Sequence, residues 1–197
     1  MMLALKPAAQ ARQAFGTSPS VLAEVLQDGV NMAVWQRRLP AQIEDFVSIL
    51  LSLKPSLAES LVVDTDPDAD APPLDSLASG YADLQGYAGF IADVRWLVGA
   101  YACLLDARRV GLRLRVLERA MCPRFHVDHV PLRLITTYGG PASEWLDNGQ
   151  IRQLATGDVA LLKGEKWLGN EGAGLVHRSP ALVEGERRLI LTLDWMA

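Results

Sequence analysis

Apolar residues recur at helical spacing through the first half of this chain and alternate with polar ones through the second, with the change of period near residue 108. In the first half, Ser18 and Pro19 suit a helix N-cap and first position, Val21, Leu22, Val25 and Leu26 form an apolar set behind them, and Asp28-Gly29 closes the element. A short strand is predicted at Asn31 to Gln36. Ile43, Phe46, Val47, Leu50 and Leu51 predict a second helix that must end before Pro55, because the residue ahead of a proline avoids the α region. Leu61-Val62-Val63 is β-like. Tyr81 to Asp106 is the longest predicted helix, with Leu84, Tyr87, Ile91, Val94, Leu97, Val98, Tyr101 and Leu105 on one apolar stripe that is expected to pack on the outside of a β-sheet.

From Val110 the period drops to two: Val110, Leu112, Leu114 and Val116 alternate with Gly111, Arg113 and Arg115, as in a strand with one buried face. Further strands are predicted at Leu132 to Tyr138, Glu144 to Leu146, Ile151 to Leu154, Val159 to Leu162, Leu175 to Arg178 and Arg188 to Trp195. Gly139-Gly140-Pro141, Asp147-Asn148-Gly149, Thr156-Gly157-Asp158 and Glu184-Gly185-Glu186 are the turns between them. Many short strands punctuated in this way fit a jelly roll, or double-stranded β-helix. The expected fold class is therefore α+β, with a mainly helical region over residues 1–108, not independent, packed on a cupin-like jelly-roll core over residues 109–197.

The chain's three histidines fall in two short segments, Cys122 to His129 and Gly174 to Pro180. In an extended strand residues i and i+2 project to one face, so His126 and Asp128 can grip one ion together. His177, 51 residues beyond His126, can then arrive on a later strand. Two imidazoles and one carboxylate on one face of an octahedron leave the opposite positions open, which suits a non-haem Fe(II) oxygenase. His129 differs in parity from the pair and is expected to face away. Arg188 stands 11 residues after His177, in the strand-like run to Leu193. There it can make a bidentate pair with a carboxylate held at the metal, while Arg187 points to the other face.

These pieces resemble the Fe(II)/2-oxoglutarate-dependent oxygenases, whose jelly-roll core carries His-x-Asp, a distal His and a basic residue about one strand later. The resemblance runs from about Val110 to Trp195, in the family's order: His126-Val127-Asp128, the strand Arg133 to Tyr138, Gly157 to Leu162, His177, then Arg188 to Thr192. More closely, Cys122 to His129, with Thr137 to Pro141 and Leu175 to Pro180, is similar to an uncharacterised bacterial domain-of-unknown-function family. The oxygenase resemblance implies His126, Asp128 and His177 as metal ligands and catalytic centre, with 2-oxoglutarate chelating Fe(II) and its far carboxylate on Arg188. Thr192 shares the parity of Arg188 and either lines the same wall or is an ordinary strand residue. Tyr138 is read either as a donor to the co-substrate or as a packed core tyrosine, since Pro131 can break the parity it shares with His126 and Asp128. Cys122 is expected to be a buried thiol, with soft-metal ligation as the alternative. Arg124 and Arg178, beside the ligands, are expected to bind substrate, orient Asp128 or form solvated ion pairs. Trp145 and Trp167 line the barrel mouth or fill the core.

Composition bounds the rest. The 197 residues, 50% hydrophobic and 21% charged, suffice for one sizeable core. A net charge of −4 without a basic block gives no support to a dedicated nucleic-acid-binding role, although a small local patch could still hold a nucleic-acid substrate. Cys103 and Cys122 cannot build a disulfide framework, which points to a reducing cytoplasm. No run reaches the roughly 18 continuous apolar residues of a membrane span. The acidic stretch from Asp64 to Asp75 lacks the glycine and terminal glutamate of a calcium loop and is expected to be a solvated loop. The expected function is oxidation of a small molecule or peptide by an Fe(II)/2-oxoglutarate oxygenase. The rivals are a cupin-like metal-binding or sensing protein holding zinc and a degenerate barrel kept as a binding module; oligomeric state and substrate stay open.

Overall fold

The computed structural model describes residues 11–65 and 73–196, so most of the acidic stretch lies outside the described residues. Its first part runs β1 (Arg12–Gly16), a 3-10 segment (Pro19–Leu26), β2 (Val30–Trp35), α1 (Ala41–Ser52), β3 (Ala58–Asp64), a 3-10 turn (Ser79–Tyr81) and α2 (Tyr87–Leu105). The second part is all strand: β4 (Arg109–Leu117), β5 (Leu132–Gly139), β6 (Glu144–Asp147), β7 (Gln150–Gln153), β8 (Val159–Lys163), β9 (His177–Arg178) and β10 (Arg188–Met196).

Seven strands form one sheet in the order β1-β2-β8-β5-β10-β4-β3, and β7-β6-β9 form a smaller one. The fold is thus a sheet-rich α+β arrangement with few helices, and the first 108 residues, expected to be mainly helical, carry three strands beside α1 and α2. β1, β2 and β3 all precede residue 108 and extend the large sheet at both of its edges. β1 leaves no mark in the hydropathy pattern because Arg-Gln-Ala-Phe-Gly buries only Ala14 fully. The segment behind Ser18 is capped as expected, with Ser20 N–H donating to Ser18 Oγ, but it winds as a 3-10 helix. The long helix starts at Tyr87 rather than Tyr81, because Gly86 takes a φ of 86° and a Cβ there would strike the main-chain carbonyl of Gln42 on α1.

Strand alternation divides the large sheet into two apolar faces. Leu112, Leu114, Leu134, Leu161, Leu189, Leu191 and Leu193 pack with Phe46 and Leu50 of α1 and with Phe90, Val94, Leu97 and Tyr101 of α2. On the other face Met32, Val34, Ile135, Ala160, Leu162 and Ile190 meet Trp145 and Leu175 from the small-sheet side. Helices, large sheet and small sheet are therefore three successive layers. By length and composition alone α2 would pass for a membrane span, yet its Phe90, Val94, Leu97, Val98 and Tyr101 are fully or almost fully buried against the sheet. A buried ion pair also pins α2, since Arg37 grips Asp93 at 2.6 and 2.9 Å and Tyr138 donates to the same carboxylate at 2.6 Å.

Expression of residues 110–197 alone is expected to give insoluble or non-cooperatively unfolding protein. Such a fragment loses both helices, so the leucine face of β4, β5, β8 and β10 would lie in water, at about 1.5 to 3 kcal/mol for each large side chain. Recovery of a soluble fragment with a sharp unfolding transition would contradict the shared core.

Candidate metal centre

His126 and His177 are brought side by side by main-chain pairing, in which each donates its N–H to the other's carbonyl, at 3.0 and 2.9 Å. The pair is an isolated bridge, so His126-Val127-Asp128 is not the regular strand the sequence suggests. Asp128 is carried instead on a loop tied to the end of β8, where Glu165 N–H donates to the Asp128 carbonyl at 2.9 Å. Gly164 permits that approach, because a Cβ there would collide with the carbonyl oxygens of Asp128 and Val130.

One ligand atom from each of His126, Asp128 and His177 falls within 4.8 Å of the others. Asp128 Oδ1 lies 3.7 Å from His126 Nε2 and Oδ2 lies 3.4 Å from His177 Nε2, with the two rings 4.7 Å apart. Each imidazole turns its Nδ1 to a main-chain carbonyl two residues back, at 3.0 Å for Arg124 and 3.2 Å for Leu175. A carbonyl only accepts, so Nδ1 carries the proton in the neutral ring and Nε2 presents a lone pair. Burial holds the His177 pKa below the usual histidine value, with the Asp128 charge opposing. Two lone pairs thus converge on a buried carboxylate whose Oδ2 has no hydrogen-bond partner. Lone pairs facing one another across this distance repel unless a cation stands between them, and the donor set is one that a divalent ion satisfies.

Arg133, which is not among the site residues expected from the sequence, orients the carboxylate. Its Nη1 donates to Asp128 Oδ1 at 2.7 Å, while Nε and Nη2 hold Asp194 at 2.7 and 3.0 Å. Arg113 caps this chain at Asp194 Oδ2, 2.6 Å away. Burial disfavours the Arg133 charge, but the Asp194 hydrogen bonds and the Asp128 charge outweigh it and raise the pKa. The available signal is parity: Arg133, Ile135 and Thr137 alternate with the helix-facing Leu134 and Tyr138. The arginine between two apolar leucines therefore has to point at the small sheet.

Arg188 is 0% exposed, and its side chain lies in the same interior. Nη2 donates to Thr137 Oγ1 at 3.1 Å and Ser143 Oγ at 3.2 Å, and Nε and Nη1 have no partner. Among the described residues no carboxylate pairs with it, and burial alone pushes its pKa down to about 10. Gly140, with a φ of 77°, lets the turn after β5 lie directly on the Arg187-Arg188 main chain. Arg187 faces outward, held by Glu118 at 2.7 and 2.8 Å. Thr192 shares the Arg188 face and is half-buried, opposite Ile135 and Arg113 on the two neighbouring strands.

Tyr138 is not brought to the site. The irregular segment at Val130-Pro131 breaks the parity shared with His126 and Asp128, and the ring packs on Phe90 with its hydroxyl on Asp93. His129 faces away as expected, exposed and 3.1 Å from Glu165. Cys122 is exposed, not buried. Arg178 is taken by Glu144 at 2.6 Å and stacks over Phe125, while Arg124 offers the site its carbonyl. Trp167 packs against the helix-side core with Lys163 over its ring, whereas Trp145 lies inside, between the sheets.

A family model described as a protein of unknown function, DUF1826, matches residues 16–194. The chain belongs to the DUF1826 family. No curated protein matches the DUF1826 chain. Its fold is similar to that of a putative oxygenase from Shewanella oneidensis, 11% identical, with a TM-score of 0.52 over 93% of this chain and 89% of that one. It is likewise similar to dioxygenase for auxin oxidation 1 from Arabidopsis thaliana, solved with 2-oxoglutarate, 12% identical at a TM-score of 0.51 over 95% and 92%. A third is a Neurospora crassa protein solved at full length in complex with α-ketoglutarate and 5-formyluracil, 10% identical at a TM-score of 0.50 over 99% and 87%. At these identities the likeness is one of fold.

Proposed function

We propose that this protein is a non-haem Fe(II)- and 2-oxoglutarate-dependent oxygenase that oxidises a small organic molecule or peptide in the cytoplasm. The strand order supports a double-stranded β-helix, with β8-β5-β10-β4 facing β7-β6-β9 and the His126 bridge. His126, Asp128 and His177 would hold the metal, with Arg133 fixing the carboxylate and the two main-chain carbonyls fixing the imidazoles. Bound Fe(II) would supply the oxidising chemistry, consuming O2 and converting 2-oxoglutarate to succinate and CO2 as the substrate gains oxygen.

The observation that carries this reading is Arg188. A guanidinium buried without a counter-ion is costly, and a bound carboxylate on its two unpartnered nitrogens would relieve that cost. Arg133 and Thr137 sit on one face of β5, four residues or roughly 13 Å apart along the strand. Arg133 donates to Asp128 and Arg188 donates to Thr137, so the metal end and the guanidinium end share that face, and a diacid offers one carboxylate to each. Structural zinc would require a fourth protein ligand, and among the described residues neither His129 nor Cys122 joins the cluster.

Anaerobic Fe(II) loading followed by 2-oxoglutarate titration is expected to produce a weak, saturable visible charge-transfer band, and admission of O2 is expected to release succinate. Iron-loaded protein that shows no 2-oxoglutarate binding would overturn the oxygenase reading in favour of a metal-binding or sensing role.

A further inference from the structure

Among the described residues six buried side-chain nitrogen and oxygen atoms lack a hydrogen-bond partner, and four of them lie in the interior between the sheets: Asp128 Oδ2, Arg188 Nε and Nη1, and Trp145 Nε1. The first three are absorbed by the metal and co-substrate reading. The indole N–H is not, and leaving a buried donor unpartnered forfeits the hydrogen bond it makes to water in the unfolded chain. Tryptophan usually pairs this group when buried.

Its place in the small sheet explains what it can meet. Trp145 on β6 stands directly opposite His177 on β9, so the two side chains share a face. Ser143, two residues earlier, receives the Arg188 guanidinium at 3.2 Å. The pairing continues past the end of β6 through Leu154 N–H to the Ser143 carbonyl at 3.0 Å, so Ser143 and Trp145 keep the same parity. Trp145 therefore occupies the wall between the metal ligand His177 and the arginine end of the interior. It is 8% exposed, with its ring packed among Ile135, Ile190 and Leu175 and 6.0 Å from Phe15.

We propose that Trp145 Nε1–H donates a hydrogen bond to an oxygen of the diacid bound between Arg188 and the triad, and so positions the co-substrate. This rests on the oxygenase reading above and adds a donor that the His-x-Asp, His and Arg pattern does not contain. The side chain does no chemistry of its own. It supplies one neutral donor in a water-poor wall, where an acceptor carrying charge is bound more strongly than in water.

The test uses full-length protein with 15N-labelled tryptophan, loaded with diamagnetic Zn(II) and titrated with 2-oxoglutarate, with binding followed in parallel by calorimetry. Of the five indole N–H resonances, the one missing from the spectrum of Trp145→Phe identifies Trp145. That resonance is expected to move downfield as 2-oxoglutarate saturates. Trp145→Phe is expected to weaken 2-oxoglutarate binding roughly ten- to a hundredfold while leaving Zn(II) affinity unchanged. An indole resonance that stays in place while calorimetry records saturation overturns the role of Trp145 and leaves the oxygenase reading intact. Absence of any 2-oxoglutarate binding to the metal-loaded protein overturns both.

Discussion

His177→Ala is expected to lose metal binding by well over a hundredfold, as is a variant lacking either other member of the triad. Removing His177 leaves two ligands and a buried carboxylate oxygen without a partner. By comparison, changing a group that merely orients a ligand costs about ten- to a hundredfold, which is the loss expected of Arg133→Leu. His129→Ala serves as the control, since that imidazole is exposed and pairs with Glu165, away from the triad. Anaerobic Fe(II) or Co(II) titration by calorimetry separates the three. Added metal should also raise the unfolding temperature of the intact protein and not that of His177→Ala, because only the native triad binds it. Wild-type affinity in His177→Ala, or an equal loss in His129→Ala, would remove the metal centre from this triad.

Arg188→Met should have two opposite effects. Burial of a charge without a counter-ion is unfavourable, and a flexible apolar chain of similar length fills the same space. The ligand-free protein is therefore expected to gain about 1 to 4 kcal/mol, as when other buried ionic groups give way to packed apolar ones. At this chain length that is roughly 2 to 4 °C of unfolding temperature per kcal/mol. In the same variant 2-oxoglutarate affinity should fall by at least roughly ten- to a hundredfold, the loss of a charge-assisted contact. Arg188→Lys should rescue only part of it, since an ammonium cannot reproduce the planar fork. Arg187→Ala touches an outward pair with Glu118 and should change little. A variant that loses stability and retains affinity would make Arg188 a structural residue.

Local pattern and its limits are visible residue by residue. The alternation of Val110, Leu112 and Leu114 reveals β4, and the turns at Gly139-Gly140 and Asn148-Gly149 bound β5 to β7, because period and turn chemistry act over a few residues. Parity separates Arg188 from Arg187 correctly, for both adjoin one regular strand. The same rule misplaces Tyr138 when carried across an irregular segment at Pro131, where a one-residue slip reverses every side chain. It also assumes a strand through His126 and Asp128, whose shared direction comes instead from a bridge and a glycine-permitted loop.

From the sequence by itself came His126, Asp128 and His177 as one candidate cluster, the arginine one strand later and the run of strands after residue 108, all of which rest on residue type and short-range spacing. Tertiary structure decided that β1, β2 and β3 complete the large sheet, because strand pairing joins segments far apart in the chain. It also decided that Arg133, which holds Asp128, reaches Asp194 61 residues further on, and that Arg188 and Trp145 are left with unpartnered donors in one interior. Whether a polar group is satisfied depends on every neighbour that packing brings to it, and no local spacing encodes that sum.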